Sequence, residues 1–458
     1  MINIKSDSRK IKPGDTFIAV KCEVNDGHKY IQKAIENGAK KVIAEYGSYD
    51  VETLIVPDTR KYLNNYLKEN YNKYLEEMTI IGITGTNGKT TSAYLMYSAL
   101  NKLGKKCAYI GTIGYYLDKK ISNLPNTNPD ICDMYDLIIN AYDNGYRYVV
   151  LEASSHGLYN GRLEGITFDY GIFTNLTRDH LDFHITMENY AKAKQILFQK
   201  LKPNGLSIIN IDDDYKDYFL SDNSITYGKN ISDYQILDFK TSNQNTIINF
   251  KLKDRNLEIV SPLLGEYNIY NLLCTIIVLD NLNIDLNEIS NTVETLSCPP
   301  GRIDTVKHGT NSIIIDYAHT PDAMEHILNT VKKITNGNIY TVFGCTGDRD
   351  REKRPIMMDI ATNLSKHVIV TIDDPHNEDV NQILDDMLKE NNKKNYEICL
   401  DRAKAIEKGI ELLNENDILL ILGKGHEEVI IYKDQRIPFN DKKHVEEILI
   451  EKDKLKIS

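Results

Sequence analysis

Thr84-Gly-Thr-Asn-Gly-Lys-Thr-Thr91 carries the plainest chemistry in the chain. An apolar run, Thr79-Ile-Ile-Gly-Ile83, precedes it, and a helical pattern from Ser92 to Leu100 follows. A strand that turns through glycines into a helix aims backbone N–H groups and a helix N-terminus at one point, an arrangement suited to phosphate. In such a loop Lys89 would reach the outer phosphates of ATP or GTP, and the Thr90 hydroxyl would hold Mg2+. Gly85, Thr86, Asn87, Gly88 and Thr91 complete the expected nucleotide-contacting set. The strict pattern asks for glycine where Ile83 stands, and glycines fall instead at 82, 85 and 88, so the loop is a variant form.

A threonine-held Mg2+ needs further oxygen ligands, and a carboxylate at a neighbouring strand end is the usual supplier. Tyr148-Val-Val-Leu-Glu152 reads as such a strand, with Ala153-Ser-Ser-His-Gly157 after it. A second strand, Gly171–Thr174, leads into Asn175-Leu-Thr-Arg-Asp-His180, which makes His180 a candidate metal ligand. The helix expected from Met187 to Lys200 puts Met187, Tyr190, Lys194 and Leu197 on one apolar stripe. A lysine on that stripe either snorkels to solvent past its apolar stem or is functional and modified, because burial favours the neutral, reactive amine.

Around these groups the composition is that of a soluble multidomain protein. The chain has 458 residues, more than one hydrophobic core usually supports, with 41% hydrophobic and 26% charged residues. Its net charge of −11 gives no footprint for nucleic acid, so anionic ligands must be caught by loops and metal ions. The first residues lack a basic-then-apolar signal pattern, and no apolar run approaches the roughly 20 residues that span a bilayer. Seven scattered cysteines without a CxxC pair point to reduced thiols in a cytoplasm, without a zinc site or disulfide frame.

The fold class is α/β in three domains. Residues 1–77 read as a small α/β unit, with strands at Thr16–Val20 and Lys41–Glu45, a helix near His28–Asn37, and a polar lead-in over Asn64–Glu77. Residues 78–298 alternate strand and helix as in a doubly wound parallel sheet, apart from an antiparallel patch over Tyr234–Val260. Cys298-Pro-Pro-Gly-Arg302 reads as a linker, and residues 299–458 form a Rossmann-like α/β domain. There, four apolar strands each run into a polar loop: Asp316–His319, Gly344–Asp350, Asp373–His376 and Gly423–Glu427. Thr320-Pro321 supplies a helix cap and first-turn proline after the first loop. In an open parallel sheet such strand ends share one edge, so a second binding site is expected there.

Taken together, these motifs resemble the Mur ligases of peptidoglycan synthesis, nearest to the UDP-N-acetylmuramoyl-tripeptide synthetase branch, MurE. The carrying residues are Asp7-Ser-Arg9 with Pro13-Gly-Asp15, Thr84–Thr91, Asn126-Thr127, Glu152–Gly157, Asn175–Asp182 and Tyr190-Ala-Lys-Ala-Lys194. Gly265–Asn271, Pro300-Gly-Arg302, Asp316–Pro321, Gly347–Asp350 and Gly423–Glu427 continue the match in order. The resemblance implies a UDP-binding N-terminal domain to which Ser8 contributes, with Asn126, Thr127, Ser154, Asn160 and Arg162 along the UDP-sugar-peptide. It implies that Lys89, Thr90, Glu152 and His180 organise ATP and two Mg2+ ions, and that Lys194 is carried as an N6-carboxylate. Asn271, Arg302 and Asp316 would bind ATP, the last two across a closed domain interface. Arg349, Asp373, Asp374, His376, Gly423 and Glu427 would hold a free amino acid. The implied protein is a monomeric cytoplasmic enzyme without nucleic-acid or membrane partners.

Four positions depart from the family pattern. Members that add meso-diaminopimelate carry Asp-Asn-Pro-Arg where this chain has Asp373-Asp374-Pro375-His376. An imidazole does not replace a bidentate guanidinium, and Asp374 would suit a cationic side chain, so lysine or another residue without a distal carboxylate is expected, with meso-diaminopimelate as the alternative. Asn160 stands where glutamine is usual and Cys22 where the N-terminal loop often has glycine, which leaves room for a paralogue with another acceptor. A folylpolyglutamate synthase shares the phosphate loop but predicts neither Asp7-Ser-Arg9 nor Gly-Lys-Gly-His-Glu, and a non-catalytic nucleotide-binding regulator would need no modified lysine.

Overall fold

A computed structural model describes residues 2–21, 26–242, 244–389 and 391–457. Cys22 lies outside the described residues. The chain divides into two compact units, Met1–Gln235 with Cys274–Asn283, and Ile236–Leu273 with Ile284–Ser458.

The first unit holds two sheets. Ile4–Lys5, Thr16–Ile18, Lys41–Ala44 and Glu52–Ile55 pair in parallel in that order. Alternation sends Phe17 and Val42 to one face, against Ile31 and Ala34, and Ile18 and Ile43 to the other, against Leu63 and Leu67. The stretch expected as a polar lead-in is instead most of an 18-residue helix, Thr59–Glu76. Asp58 caps it by accepting from the Lys61 N–H at 2.8 Å. Leu63, Leu67 and Leu75 lie buried along it, and that thin apolar stripe among Tyr, Asn and Lys outweighs the polar composition.

In the larger sheet the parallel order is Ile225–Gly228, Leu201–Asn210, Phe168–Phe173, Thr79–Thr84, Tyr148–Glu152 and Cys107–Gly111. Two short antiparallel strands, Gly114–Tyr116 and Lys120–Ser122, finish its edge. The strand before the phosphate loop is therefore central. Register sets Ile83 beside Glu152 and Thr84 beside Phe173, so the loop, the acidic strand end and Thr174 open on one edge.

In the second unit, Thr246–Leu252 and Arg255–Ser261 pair antiparallel within the patch expected over Tyr234–Val260, whereas Tyr234 and Gln235 at the start of that patch pair parallel with Tyr227 and Gly228. A six-stranded sheet runs Asp304–His308, Asn311–Asp316, Ile418–Leu422, Ile339–Phe343, His367–Val370 and Tyr396–Ile398, parallel except at its first pair. The four polar loops thus leave one edge, as the sequence predicts. Thr320 caps the helix Pro321–Ile334, with Pro321 in its first turn. The buried Arg402 guanidinium pairs with Asp441 at 2.7 and 2.8 Å and donates to the carbonyl oxygens of Ile372 and Leu422, which fixes two of those strand ends.

Candidate functional site

The phosphate loop is shaped by its glycines and braced by the neighbouring strand. Gly85 has φ 152° and Gly88 φ 85°, and a Cβ on Gly85 would strike the Thr174 hydroxyl. Thr174 Oγ1 donates to the Asn87 carbonyl at 2.6 Å, Asn175 Oδ1 accepts from the Asn87 N–H at 2.9 Å, and the Thr86 N–H reaches the Asn175 carbonyl at 2.8 Å. Helix Lys89–Lys102 starts directly from Gly88. Lys89 Nζ donates to the carbonyl oxygens of Gly85 and Thr86, both at 2.8 Å. Its ammonium is held over the loop, where a triphosphate would sit.

Glu152 is fully buried and receives donors on both oxygens. Thr90 Oγ1 reaches Oε2 at 2.9 Å, and Thr112 Oγ1 the same oxygen at 3.1 Å. The Tyr109 hydroxyl at 2.5 Å and the Thr112 N–H at 2.8 Å reach Oε1. The Thr90–Glu152 pair expected from sequence is thus formed, and hard oxygens so placed fit a magnesium ion. Tyr109 and Thr112 carry no motif signal: Tyr109 lies on the strand paired with Tyr148–Glu152, and Thr112 on the turn that follows that strand.

Lys194 does not snorkel. It is 1% exposed, and its Nζ donates to the Gly85 carbonyl at 2.7 Å while lying 4.3 Å from the Tyr190 ring centroid. Burial, reinforced by the Lys89 charge, pushes the Lys194 ammonium well below the usual lysine range. Both lysines share one carbonyl, so the unmodified side chain is no metal ligand, whereas its neutral form is a nucleophilic amine. His180 lies exposed at φ 53°, just before the short helix Leu181–His184. Its ring centroid is 4.8 Å from that of His156 and 6.1 Å from that of Tyr190, beside the lysine.

Further along the same unit, a cleft of about 350 Å³ is lined by Asp7, Arg9, Lys10, Asn126 and Arg162 among others. Ser8 itself is buried, and its carbonyl accepts from Asn37. Its neighbours Arg9 and Lys10 face the cleft. Fully buried Asn128, unmarked in the sequence, joins several expected residues. Its amide accepts from Ser154 N–H and Oγ at 3.0 and 2.8 Å and donates to the Glu152 carbonyl at 2.6 Å, while its own carbonyl takes Arg162 at 3.0 Å. Thr127 meets Thr112 at 3.0 Å, and Asn160 ends the helix Ser155–Tyr159.

In the second unit, Asp316 accepts from the N–H groups of Ile303 and Ala318 at 2.8 and 2.9 Å. Burial pushes its carboxyl up, against the opposing pull of Arg302. Asn271, buried on helix Glu266–Asn281, donates to Asn268 at 3.0 Å. Gly301 has φ 71° and abuts the backbone at Gly425 and His426, which ties the Pro-Gly-Arg loop to the Gly-Lys-Gly-His-Glu loop.

At the other strand ends, Asp374 is already engaged. It accepts from Lys424 Nζ at 2.7 Å and from the Ile431 N–H at 2.9 Å, and it is buried. Lys424 also reaches Glu427 at 2.9 Å and lies 3.6 Å from Asp373. Burial works against the Lys424 charge, yet Asp373, Glu427 and Asp374 together hold it above the usual lysine range. The expectation that Asp374 awaits a cationic side chain is therefore corrected: an internal lysine occupies it. Gly423, at φ 110°, leaves room for Asp373. His376 takes φ 50° because its N–H bonds to Ile431 and its carbonyl to Lys433 of a hairpin, Val429–Tyr432 with Gln435–Pro438. Arg349 is exposed on the Gly344–Asp350 loop.

The whole chain finds counterparts among known proteins. Residues 2–87, 83–279 and 301–425 match, in turn, the Mur ligase family catalytic domain, the Mur ligase middle domain, and the Mur ligase glutamate ligase domain. The UDP-N-acetylmuramoyl-L-alanyl-D-glutamate–2,6-diaminopimelate ligase of Clostridium botulinum is 40% identical over 98% of this chain and 95% of its own length. A solved structure of a ligase of that name is 33% identical, with a TM-score of 0.74 over 98% of this chain and 94% of that one. The folylpolyglutamate synthase of Mycobacterium tuberculosis shares the fold alone, at 15% identity and a TM-score of 0.60 over 79% of this chain and 91% of that one. The rival family thus leaves a fifth of the chain unmatched, and sequence, three consecutive domains and fold converge elsewhere: the chain belongs to the Mur ligase family, the ATP-dependent amide ligases of peptidoglycan synthesis.

Proposed function

We propose that this ligase joins 2,6-diaminopimelate to UDP-N-acetylmuramoyl-L-alanyl-D-glutamate, working as a cytoplasmic monomer with the domain boundaries 1–77, 78–298 and 299–458. The observation that carries the choice of amino acid is the Lys424–Asp374 pair at 2.7 Å. It removes one of the two grounds for preferring lysine, the carboxylate of Asp374, and against the remaining one, His376 in place of arginine, the relatives named for 2,6-diaminopimelate favour the alternative. Among the described residues no helix is long and apolar enough to cross a membrane.

In this reading Arg9, Asn126, Thr127, Ser154, Asn160 and Arg162 hold the UDP-sugar-peptide, with Ser8 shaping the loop beneath it. The glutamyl carboxylate attacks the γ-phosphorus of ATP in line. An O–P bond forms, the bond to the bridging oxygen breaks, and ADP leaves behind an acyl phosphate. Lys89 and the loop N–H groups follow the phosphate charge, and Asn271, Arg302 and Asp316 take the nucleotide. Thr90, Glu152, His180 and the Lys194 carboxylate would hold two magnesium ions, which offset phosphate charge when bound. That carboxylate forms when the neutral Lys194 amine adds to the carbon of carbon dioxide and releases a proton. The deprotonated amine of the incoming amino acid, held by Arg349, Asp373, Gly423 and Glu427, then attacks the acyl carbon and expels phosphate, leaving the amide. Asp374 acts through Lys424, and His376 offers a single imidazole donor to the distal carboxylate.

A panel of amino acids tested for product mass with the UDP-dipeptide and ATP checks this reading. Diaminopimelate is expected to give at least tenfold the kcat/KM of L-lysine, a difference of about 1.4 kcal/mol in transition-state binding. A preference for lysine would restore the other choice.

A further inference from the structure

We propose that Tyr109 is a positioning residue for metal binding: its hydroxyl fixes the rotation of the Glu152 carboxylate so that Oε2 faces the phosphate-loop threonine. The inference deepens the metal reading of Glu152 and rests on it. Tyr109 donates to Oε1 at 2.5 Å, and the Thr112 N–H donates to the same atom at 2.8 Å. Oε1 is thereby engaged by a buried phenol and a backbone amide. Among the described residues Oε2 meets only hydroxyls, those of Thr90 and Thr112 at 2.9 and 3.1 Å, and hydroxyls can rotate to present lone pairs instead. The two oxygens are therefore not equivalent, and the one beside Thr90 is the one left for a cation.

The surroundings are built for this contact. The Tyr109 ring is fully buried, with the rings of Tyr94, Tyr97 and Tyr116 edge-on or nearly so at centroid distances of 6.3, 6.2 and 5.6 Å. Such a cage leaves the phenol little freedom except along the line to Glu152. Gly111 lies under both partners, and a Cβ there would strike Glu152 Oε1 and the Tyr109 hydroxyl. Groups that orient a metal ligand without touching the ion typically change metal affinity by about 10- to 100-fold when removed.

The test compares Tyr109→Phe with Tyr97→Phe and Glu152→Gln in the full chain. Tyr97 belongs to the same ring cluster, but its hydroxyl donates to the Leu117 carbonyl at 2.6 Å and not to Glu152. Calorimetric ADP affinity is measured with Mg2+ and with a chelator, alongside the thermal midpoint. Tyr109→Phe is expected to keep its chelator affinity and to need about tenfold more Mg2+ for half-maximal ADP binding. Tyr97→Phe is expected to bind Mg2+ and ADP as the wild type does. Unchanged Mg2+ dependence in Tyr109→Phe, or an equal shift in Tyr97→Phe, overturns the inference while leaving Glu152 as a ligand. Unchanged dependence in Glu152→Gln overturns the metal reading itself.

Discussion

Replacing Lys194 by methionine is expected to lower ligase turnover by at least about a hundredfold while leaving the fold as stable as the wild type or more so at neutral pH. The two halves of that result have one cause. Lys194 is buried, and its Nζ shares the Gly85 carbonyl with the Lys89 ammonium at 2.7 and 2.8 Å. Burial first, and the Lys89 charge second, push it well below the ordinary lysine range. In the unfolded chain its pKa is near ~10.4. Between the folded and unfolded values the unfolded chain binds more protons, so the native state gains stability as pH rises through that window. The unmodified lysine is thus a liability at neutral pH, greatest at and below the folded value and fading toward ~10.4. Thermal unfolding in buffer stripped of carbon dioxide, at neutral and at alkaline pH, should show the methionine variant ahead at the first and level at the second. Added bicarbonate should raise wild-type turnover and leave the variant unmoved. A variant that keeps most of its activity, or unfolds far more easily, contradicts the assignment.

Lys89→Met is expected to lower kcat by about a hundred- to a thousandfold, with a smaller effect on ADP affinity. Lys89 Nζ is held by two loop carbonyls of Gly85 and Thr86, at a point where a transferring phosphoryl group would gather negative charge. The nucleotide is also gripped by the N–H groups of the loop, and these stay in place because Thr174 and Asn175 brace it from the adjoining strand. Loss of charge stabilisation should therefore fall on the chemical step and spare binding. Steady-state kinetics beside ADP titration separates the two, and an equal loss in both would place Lys89 in ground-state binding alone.

Much of this was legible because it is local. The phosphate loop, the Thr320-Pro321 cap and the apolar runs before Glu152, Asp316 and Gly423 declare themselves within a few residues. The helix Thr59–Glu76 was hidden because its apolar stripe is only three leucines wide among tyrosines and polar groups. Partners brought together by strand pairing were also hidden. Tyr109 lies 43 residues from Glu152, and Lys424 lies 50 residues from Asp374. The second pairing changes the amino acid proposed, because a carboxylate that looked free to select lysine is committed to an internal one.

In the proposed reaction the glutamyl carboxylate is activated by phosphoryl transfer before the amine attacks. The direct measurement is the fate of heavy oxygen placed in that carboxylate of UDP-N-acetylmuramoyl-L-alanyl-D-glutamate during turnover with ATP and diaminopimelate. An acyl phosphate requires one labelled oxygen per product to be recovered in inorganic phosphate, and Lys89→Met should slow its release in step with kcat. Phosphate free of label, or ADP release that does not depend on the UDP-dipeptide, would contradict the account.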